Sequence, residues 1–345
     1  MGSAGISHYA GLSDTLIAPV CAQLLESPER PALIVLPTYD RAVRLAGTLG
    51  FFTDKKIALL PDYEPFLFRY EAKSRGELND RLRALIALER GEPVILVCSA
   101  SAALKEMLPP GIFASHRMEF RVSSVYLDTE VKARLHAMGY ERTPFAEAPG
   151  EYSVRGDIID IYPADTDYPV RLEFFGDELD SIRFFDTDTQ KSIRKLDTFT
   201  LYPADEFLPT GEMSARAAAT IPDAEARAEA AALTNRQLLE NYVSYFTDET
   251  AFLADYMPSG SLVCVDDPER VTETITFAAN EAGMDRSGGL RRLLSSGTVF
   301  FTPDGRLPAA LADAAALAGA ALRYEYRAKP TPLMGGSLDL LRAEL

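Results

Sequence analysis

Three short, almost unbroken apolar runs mark the first third of the chain: Ala32-Leu33-Ile34-Val35-Leu36, Ile57-Ala58-Leu59-Leu60 and Val94-Ile95-Leu96-Val97. Each stops at a turn or loop signal, Pro37-Thr38, Pro61-Asp62 and Ser99-Ala100-Ser101. A strand covered on both faces reads as a continuous apolar run, because neither side of its pleat meets water. Segments with helical spacing lie between and after these runs, at about 15–25, 40–49, 77–88 and 102–107. Strands of this kind alternating with helices predict a doubly wound α/β unit.

From about Met118 the pattern changes. A helical stretch at 128–138 gives way to short alternating runs at 156–162, 169–175, 181–185 and 198–202, with turn signals at Gly176-Asp177 and Asp186-Thr187-Asp188. This predicts a small α+β domain with antiparallel hairpins, ending near 203–209. Leu208-Pro209-Thr210-Gly211 reads as a connector, and an alanine- and charge-rich helix is predicted at about 215–239. Runs at 262–265, 298–301 and 322–326 predict further strands. On one reading of this order the central domain is inserted into a single larger α/β domain. The boundaries are then 1–117, 118–208 and 209–345.

Length and charge narrow the function. The 345 residues exceed one typical core. A formal net charge of −16 argues against broad binding to nucleic acid, which relies on Lys and Arg at phosphates. No apolar stretch is long enough to span a membrane and the N-terminus lacks a signal-peptide pattern, so a soluble, cytoplasmic protein is expected. Cys21, Cys98 and Cys264 sit far apart in apolar runs, as buried free thiols do in a reducing compartment. His8, His116 and His136 are isolated, so neither a metal site nor a bound cofactor is expected.

A nucleotide hydrolase needs backbone amides around the phosphates, a lysine facing them and a hydroxyl for magnesium. The place for such a loop holds Ile6-Ser7-His8-Tyr9-Ala10-Gly11-Leu12-Ser13. Gly11 and Ser13 fill the second glycine and hydroxyl slots, but the first glycine slot is Ile6 and the lysine slot is Leu12. The loop is therefore degenerate, and the plainer reading is a helix start with Ser13 as N-cap. No catalytic residue is assigned. Asp177-Glu178 and the Asp186/Asp188 pair fit solvated turns, and no Gly-x-Ser-x-Gly elbow occurs. Arg155-Gly156-Asp157 matches an integrin tripeptide, yet its glycine fits a backbone bend at a strand start.

One region carries more information: Glu151-Tyr152-Ser153-Val154-Arg155-Gly156-Asp157-Ile158-Ile159-Asp160-Ile161-Tyr162-Pro163, then Pro169-Val170-Arg171-Leu172-Glu173-Phe174-Phe175-Gly176-Asp177-Glu178-Leu179-Asp180-Ser181-Ile182-Arg183. Period 2 puts Val170, Leu172 and Phe174 on one face of a strand and Arg171, Glu173 and Phe175 on the other. An exposed Arg followed by a Phe suits protein recognition. The competing reading pairs Arg171 with Glu173 or Asp160 and puts Phe175 in the core.

This region, closing with Leu201-Tyr202-Pro203-Ala204-Asp205-Glu206-Phe207, resembles the second domain shared by UvrB and the transcription-repair coupling factors (Mfd). The interval 61–79 is short and similar to the Mfd version, which lacks the DNA-clamping hairpin of UvrB. Gly335-Gly336-Ser337-Leu338-Asp339-Leu340-Leu341 resembles the end of Mfd's UvrB-like module. The resemblance implies a degenerate RecA/P-loop-like parallel-sheet domain, split by a small α+β UvrA-binding domain. It implies UvrA binding through Arg155, Arg171 and Phe175, with Arg183 a further candidate by position. It favours an exposed Arg171 and Phe175. In the family, RNA polymerase and DNA are engaged by other domains with an ATP-driven translocase, and the UvrA face is covered in the resting full-length protein. The translocase motifs do not occur here, so the chain reads as a non-catalytic fragment of a longer protein. The alternative is a UvrB-like, nucleotide-dependent binder of damaged DNA. Tyr63, Phe66, Phe68 and Tyr70 are expected to pack against the α/β core rather than stack on bases.

Overall fold

The fold was analysed in a computed structural model, which describes residues 7–12, 14–26, 30–61, 74–233, 236–282, 287–296, 299–303, 306 and 322–326. The first part of the chain forms β1 (Ser7–Ala10), α1 (Asp14–Leu25), β2 (Ala32–Leu36), α2 (Tyr39–Leu49), β3 (Lys56–Leu59), α3 (Arg75–Glu89), β4 (Val94–Ser99), α4 (Ala100–Ala103) and α5 (Pro110–Ser115). The middle forms β5 (Met118–Arg121), α6 (Asp128–Ala137), β6 (Glu141–Arg142), β7 (Glu151–Arg155), β8 (Ile158–Ile161), β9 (Val170–Phe175), β10 (Glu178–Phe185), β11 (Ser192–Leu196) and β12 (Thr198–Leu201). The last part contains α7 (Gly211–Thr220), α8 (Ala224–Ala232), α9 (Arg236–Leu239), α10 (Val243–Phe246), β13 (Leu262–Asp266), α11 (Pro268–Ala282), α12 (Ser287–Ser296), β14 (Val299–Thr302) and β15 (Leu322–Glu325).

Both ends of the chain build one parallel sheet, in the order β15-β1-β14-β13-β2-β4-β3. Strand β13 lies against β2, with Cys264 opposite Ile34, so the sheet closes only when both ends are present. The apolar runs are explained by two cores. Leu33 and Val35 face one core with Leu82 and Leu85 of α3 and Val271 of α11. Ile34 and Leu36 face the other, with Ile17 and Cys21 of α1 and Leu45 and Leu49 of α2. All three cysteines are free and buried.

Three sequence expectations are corrected. The stretch before the first helix contains strand β1, disguised by His8, whose ring is buried with Nε2 2.6 Å from Thr302 Oγ1. The helix expected at 102–107 is only α4; beyond it Lys105 enters a buried ion-pair cluster. The single helix expected at 215–239 is broken between α7 and α8. Pro222 has no N–H to continue a helix, and Asp223 caps the new one, its Oδ1 accepting from Ala226 N at 2.8 Å. Ser13, the aromatic residues 63–70 and the segment 335–341 lie outside the described residues.

The central unit has its own core of Phe120, Leu135, Ile159, Ile161, Val170, Leu172 and Ile182. Its main sheet runs β11-β10-β9-β8-β7-β6, and β12 pairs with β5 beside it. Helix α3 joins it to the large domain through arginines. Arg83 Nε donates to Ala164 O at 2.7 Å, Arg90 pairs with Asp165 at 2.6 Å, and Arg75 pairs with Glu141. Under this joint lies a buried cluster of two cations and two anions. Glu206 accepts from Arg81 Nε at 3.0 Å and is paired with Lys105, which reaches Glu240 at 2.8 Å.

Beside the cluster, burial, the nearby Glu240 and Glu206, and the opposing pull of Arg236 and the Phe207 amide leave Asp205 with a pKa pushed up to about 6. Its ordinary value is 3.8, so the folded chain holds this proton more tightly than the unfolded chain. The stability this proton brings is full below about pH 4 and is lost as pH rises through about 6. Asp205 keeps some contact with solvent, so the effect is discounted to about 1–2 kcal/mol. Asp205→Asn is expected to match the parent near pH 4 and exceed it by that amount at pH 7.5 in urea titrations. Equal differences at both pH values would exclude the assignment.

Candidate functional site

The described part of the degenerate phosphate loop, residues 7–12, is closed. Gly11 has φ +75°, and a Cβ there would sit 2.2 Å from the Tyr326 carbonyl oxygen. Its amide is committed to Thr302 O at 2.8 Å, and Tyr326 N donates to Ala10 O at 2.8 Å. Leu12 is buried in the core against α1, and Tyr9 stacks on Tyr324 with centroids 4.7 Å apart. The Gly11 amide that would face a phosphate is thus committed to the end of β14 instead.

The other candidate residues come together on the outer face of the inserted sheet. Strand β9 alternates as its sequence predicts: Val170, Leu172 and Phe174 pack on the domain core, while Arg171, Glu173 and Phe175 point away from it. Gly156, with φ +60°, makes the tight β7–β8 turn, which is the bend expected at Arg155-Gly156-Asp157. Register then places Asp160 of β8 directly opposite Arg171 of β9, and Arg183 of β10 opposite Arg171 on its other side.

Arg171 corrects one expectation. It is 8% exposed rather than open to solvent. Its Nε donates to Asp160 Oδ1 at 2.6 Å and its Nη2 to Asp160 Oδ2 at 2.8 Å. The same Nη2 reaches Gln190 Oε1 at 2.7 Å, and the guanidinium lies 4.2 Å above the Phe185 ring. Hydrogen bonding to Asp160 holds the Arg171 pKa above its ordinary value. The physical reason for the burial is Asp160, which is 2% exposed: a carboxylate removed from water needs a bidentate cation beside it. Arg155 shares the same carboxylate, with Nη2 2.5 Å from Asp160 Oδ2. Its side chain stays 38% exposed and lies 5.2 Å from the Phe145 ring.

Arg183 is engaged as well. Its Nη1 donates to Glu173 Oε2 at 2.6 Å, and Ser181 Oγ donates to that oxygen at 2.9 Å. The Arg183 guanidinium beside it holds Glu173 below its ordinary carboxylate range. Phe175, at the end of β9, is 84% exposed and so is not a core residue.

Sequence reasoning found Arg155, Arg171, Phe175 and Arg183, but missed Phe145, Gln190 and the stacking role of Phe185. Asp160 appeared only as one of two acids that Arg171 might meet. Its place opposite Arg171 follows from strand register, which hairpin turns and cross-strand packing set together. The face presents guanidinium groups oriented by carboxylates and one unsupported aromatic ring. That arrangement suits protein recognition: pre-oriented charges select a partner, and a desolvated aromatic ring anchors it.

Residues 118–207 match the UvrB interaction domain. The chain is similar to the transcription-repair-coupling factor of Bacillus subtilis (strain 168), with 31% identity over 289 residues, 76% of this chain and 24% of the relative. The factor from Myxococcus xanthus is 30% identical over 295 residues, 77% of this chain and 24% of the relative. That of Escherichia coli (strain K12) is 26% identical over 196 residues, 57% of this chain and 17% of the relative. The chain thus spans about a quarter or less of the length of these curated relatives. Fold, matched domain and relatives together show a chain that carries a match to the UvrB interaction domain and, over about three quarters of its length, resembles part of the transcription-repair-coupling factors.

Proposed function

We propose that this chain docks UvrA through the outer face of β7–β10, using Arg155, Arg171, Phe175 and Arg183, and performs no catalysis itself. The domains follow the split arrangement, with 118–208 inserted between 1–117 and 209–345. The observation that carries this reading is Phe175: a phenylalanine 84% exposed beside three arginines already held in place by carboxylates. An exposed ring costs solvation free energy that burial in a partner would recover. The closed loop at Gly11 and Tyr326 supports a docking role over a nucleotide-dependent one. In the whole protein, an ATP-dependent translocase acting on DNA and RNA polymerase would lie in the remaining length. Recruitment of UvrA to polymerase stalled at lesions would follow, in the cytoplasm. The rest of that protein would cover the docking face until it is needed.

Phe175→Ala is expected to weaken UvrA binding about 10- to 30-fold in calorimetric titration. Its melting temperature should match the parent, because the ring is 84% exposed. Parent-like affinity in this variant would remove Phe175 from the interface.

A further inference from the structure

Two Gly-Asp turns lie at the same end of the inserted sheet. Gly156-Asp157 joins β7 to β8 and Gly176-Asp177 joins β9 to β10, each glycine at φ near +60°. Beside them opens a groove of about 360 Å³, lined by Asp157, Ile158, Glu173, Phe174, Phe175 and Asp180. Ile158 stands opposite Glu173 in the β8–β9 register, and Phe175 continues the same face two residues on. The Asp157 carbonyl accepts from Phe174 N at 2.8 Å, which ties the turn to β9. Asp157 and Asp180 are both exposed. Glu173 is shared with Arg183 and Ser181.

The groove thus has apolar walls and a carboxylate rim, next to a row of arginines on the same strands. We propose that it is a socket for one cationic side chain, arginine or lysine, projecting from the docked protein partner. The stem would lie along Ile158 and Phe175, and the charged head would meet Asp157 and Asp180, with Glu173 behind them. Long cationic side chains bury their methylenes on apolar surface while keeping the head at polar groups. An apolar anchor would strip water from the carboxylates without replacing it, and an acidic one would be repelled. The interface is then two-signed: Arg155, the most exposed of the arginines, takes a partner carboxylate, and the groove takes a partner cation. Such alternation sets register and rejects partners of uniform charge. This inference rests on the docking reading and gives Phe175 a second role, as a wall of the socket.

The test is a titration of the parent, Asp157→Asn/Asp180→Asn, Asp180→Lys and Phe175→Ala with purified UvrA at two salt concentrations. Both aspartates are exposed, Asp157 in a turn that tolerates Asn and Asp180 at an irregularity of β10, so folding should persist, which thermal melting checks. The double variant is expected to bind about tenfold more weakly with a shallower salt dependence, and Asp180→Lys at least as weakly as the double variant. Parent-like affinity and salt dependence in the double variant, with binding still lost in Phe175→Ala, would overturn the socket while leaving the docking face. No binding by the parent would overturn the docking reading and the socket with it.

Discussion

Glu206→Ala is expected to destabilise the fold by about 3–5 kcal/mol. Glu206 is buried and pairs with both Arg81 and Lys105. Burial alone would drive the proton off Lys105, but the carboxylates of Glu206 and Glu240 more than offset this and hold its pKa above the ordinary value. Removing Glu206 leaves two cations facing one anion out of water, and the protein must either discharge one or open the joint. Apolar replacement behaves differently. A Lys105→Met/Glu206→Leu double variant keeps Arg81 and Glu240 as one remaining cation and anion. Its loss should be well below the sum of the single losses, because opposite buried charges leave together. Urea unfolding of the parent, both singles and the double closes this cycle. A loss under about 1 kcal/mol for Glu206→Ala would mean that water reaches the cluster and that it does not hold the joint. The site lies where α3, the exit of the inserted domain and the helical segment meet, so the same variants should loosen the inserted domain's attachment. Limited proteolysis near 203–209 reads that directly.

The second large effect separates Arg171 from Arg155. Arg171→Ala is expected to cost about 2–3 kcal/mol of stability and also to weaken UvrA binding. Asp160 would lose the bidentate half of its pairing, and Phe185 would lose the group stacked on it. Arg155→Ala should weaken binding with little change in melting temperature, because its side chain is more exposed and Arg171 still neutralises Asp160. Arg171 is then a positioning residue: it holds Asp160, and Asp160 aims Arg155 at the partner. Arg171→Lys should recover little, since a single ammonium cannot reproduce the fork onto both carboxylate oxygens. If Arg171→Ala melts with the parent, the buried pairing contributes nothing and Arg171 acts at the surface as the sequence resemblance implies.

Several features were legible in the chain itself. The continuous apolar runs of β2 and β4 follow from burial on both faces, and each run feeds two cores. The alternation in β9 put Arg171, Glu173 and Phe175 on one face before any register was known. Other features were hidden by local chemistry. His8 masks a buried strand because its ring finds Thr302 nearly three hundred positions away. The break at Pro222 was visible as a residue, but alanine-rich flanks on both sides favoured one long helix. Nothing in the local sequence marks Lys105 and Glu206 as buried, since they meet each other across 101 positions.

Sequence by itself determined most of the elements, the two faces of β9 and the arginine and phenylalanine types offered for docking. These depend on side-chain period and on the φ preferences of Gly and Pro, which are local properties. Only the tertiary structure decided that Asp160 stands opposite Arg171, that Phe175 is the most exposed of the three outward β9 residues, and that Arg81, Lys105, Glu206 and Glu240 meet under α3. A buried charge is tolerable only where opposite charge arrives from elsewhere in the fold. Whether an arginine is free for a partner or held within the chain is therefore settled by strand register and domain packing, not by its neighbours in sequence.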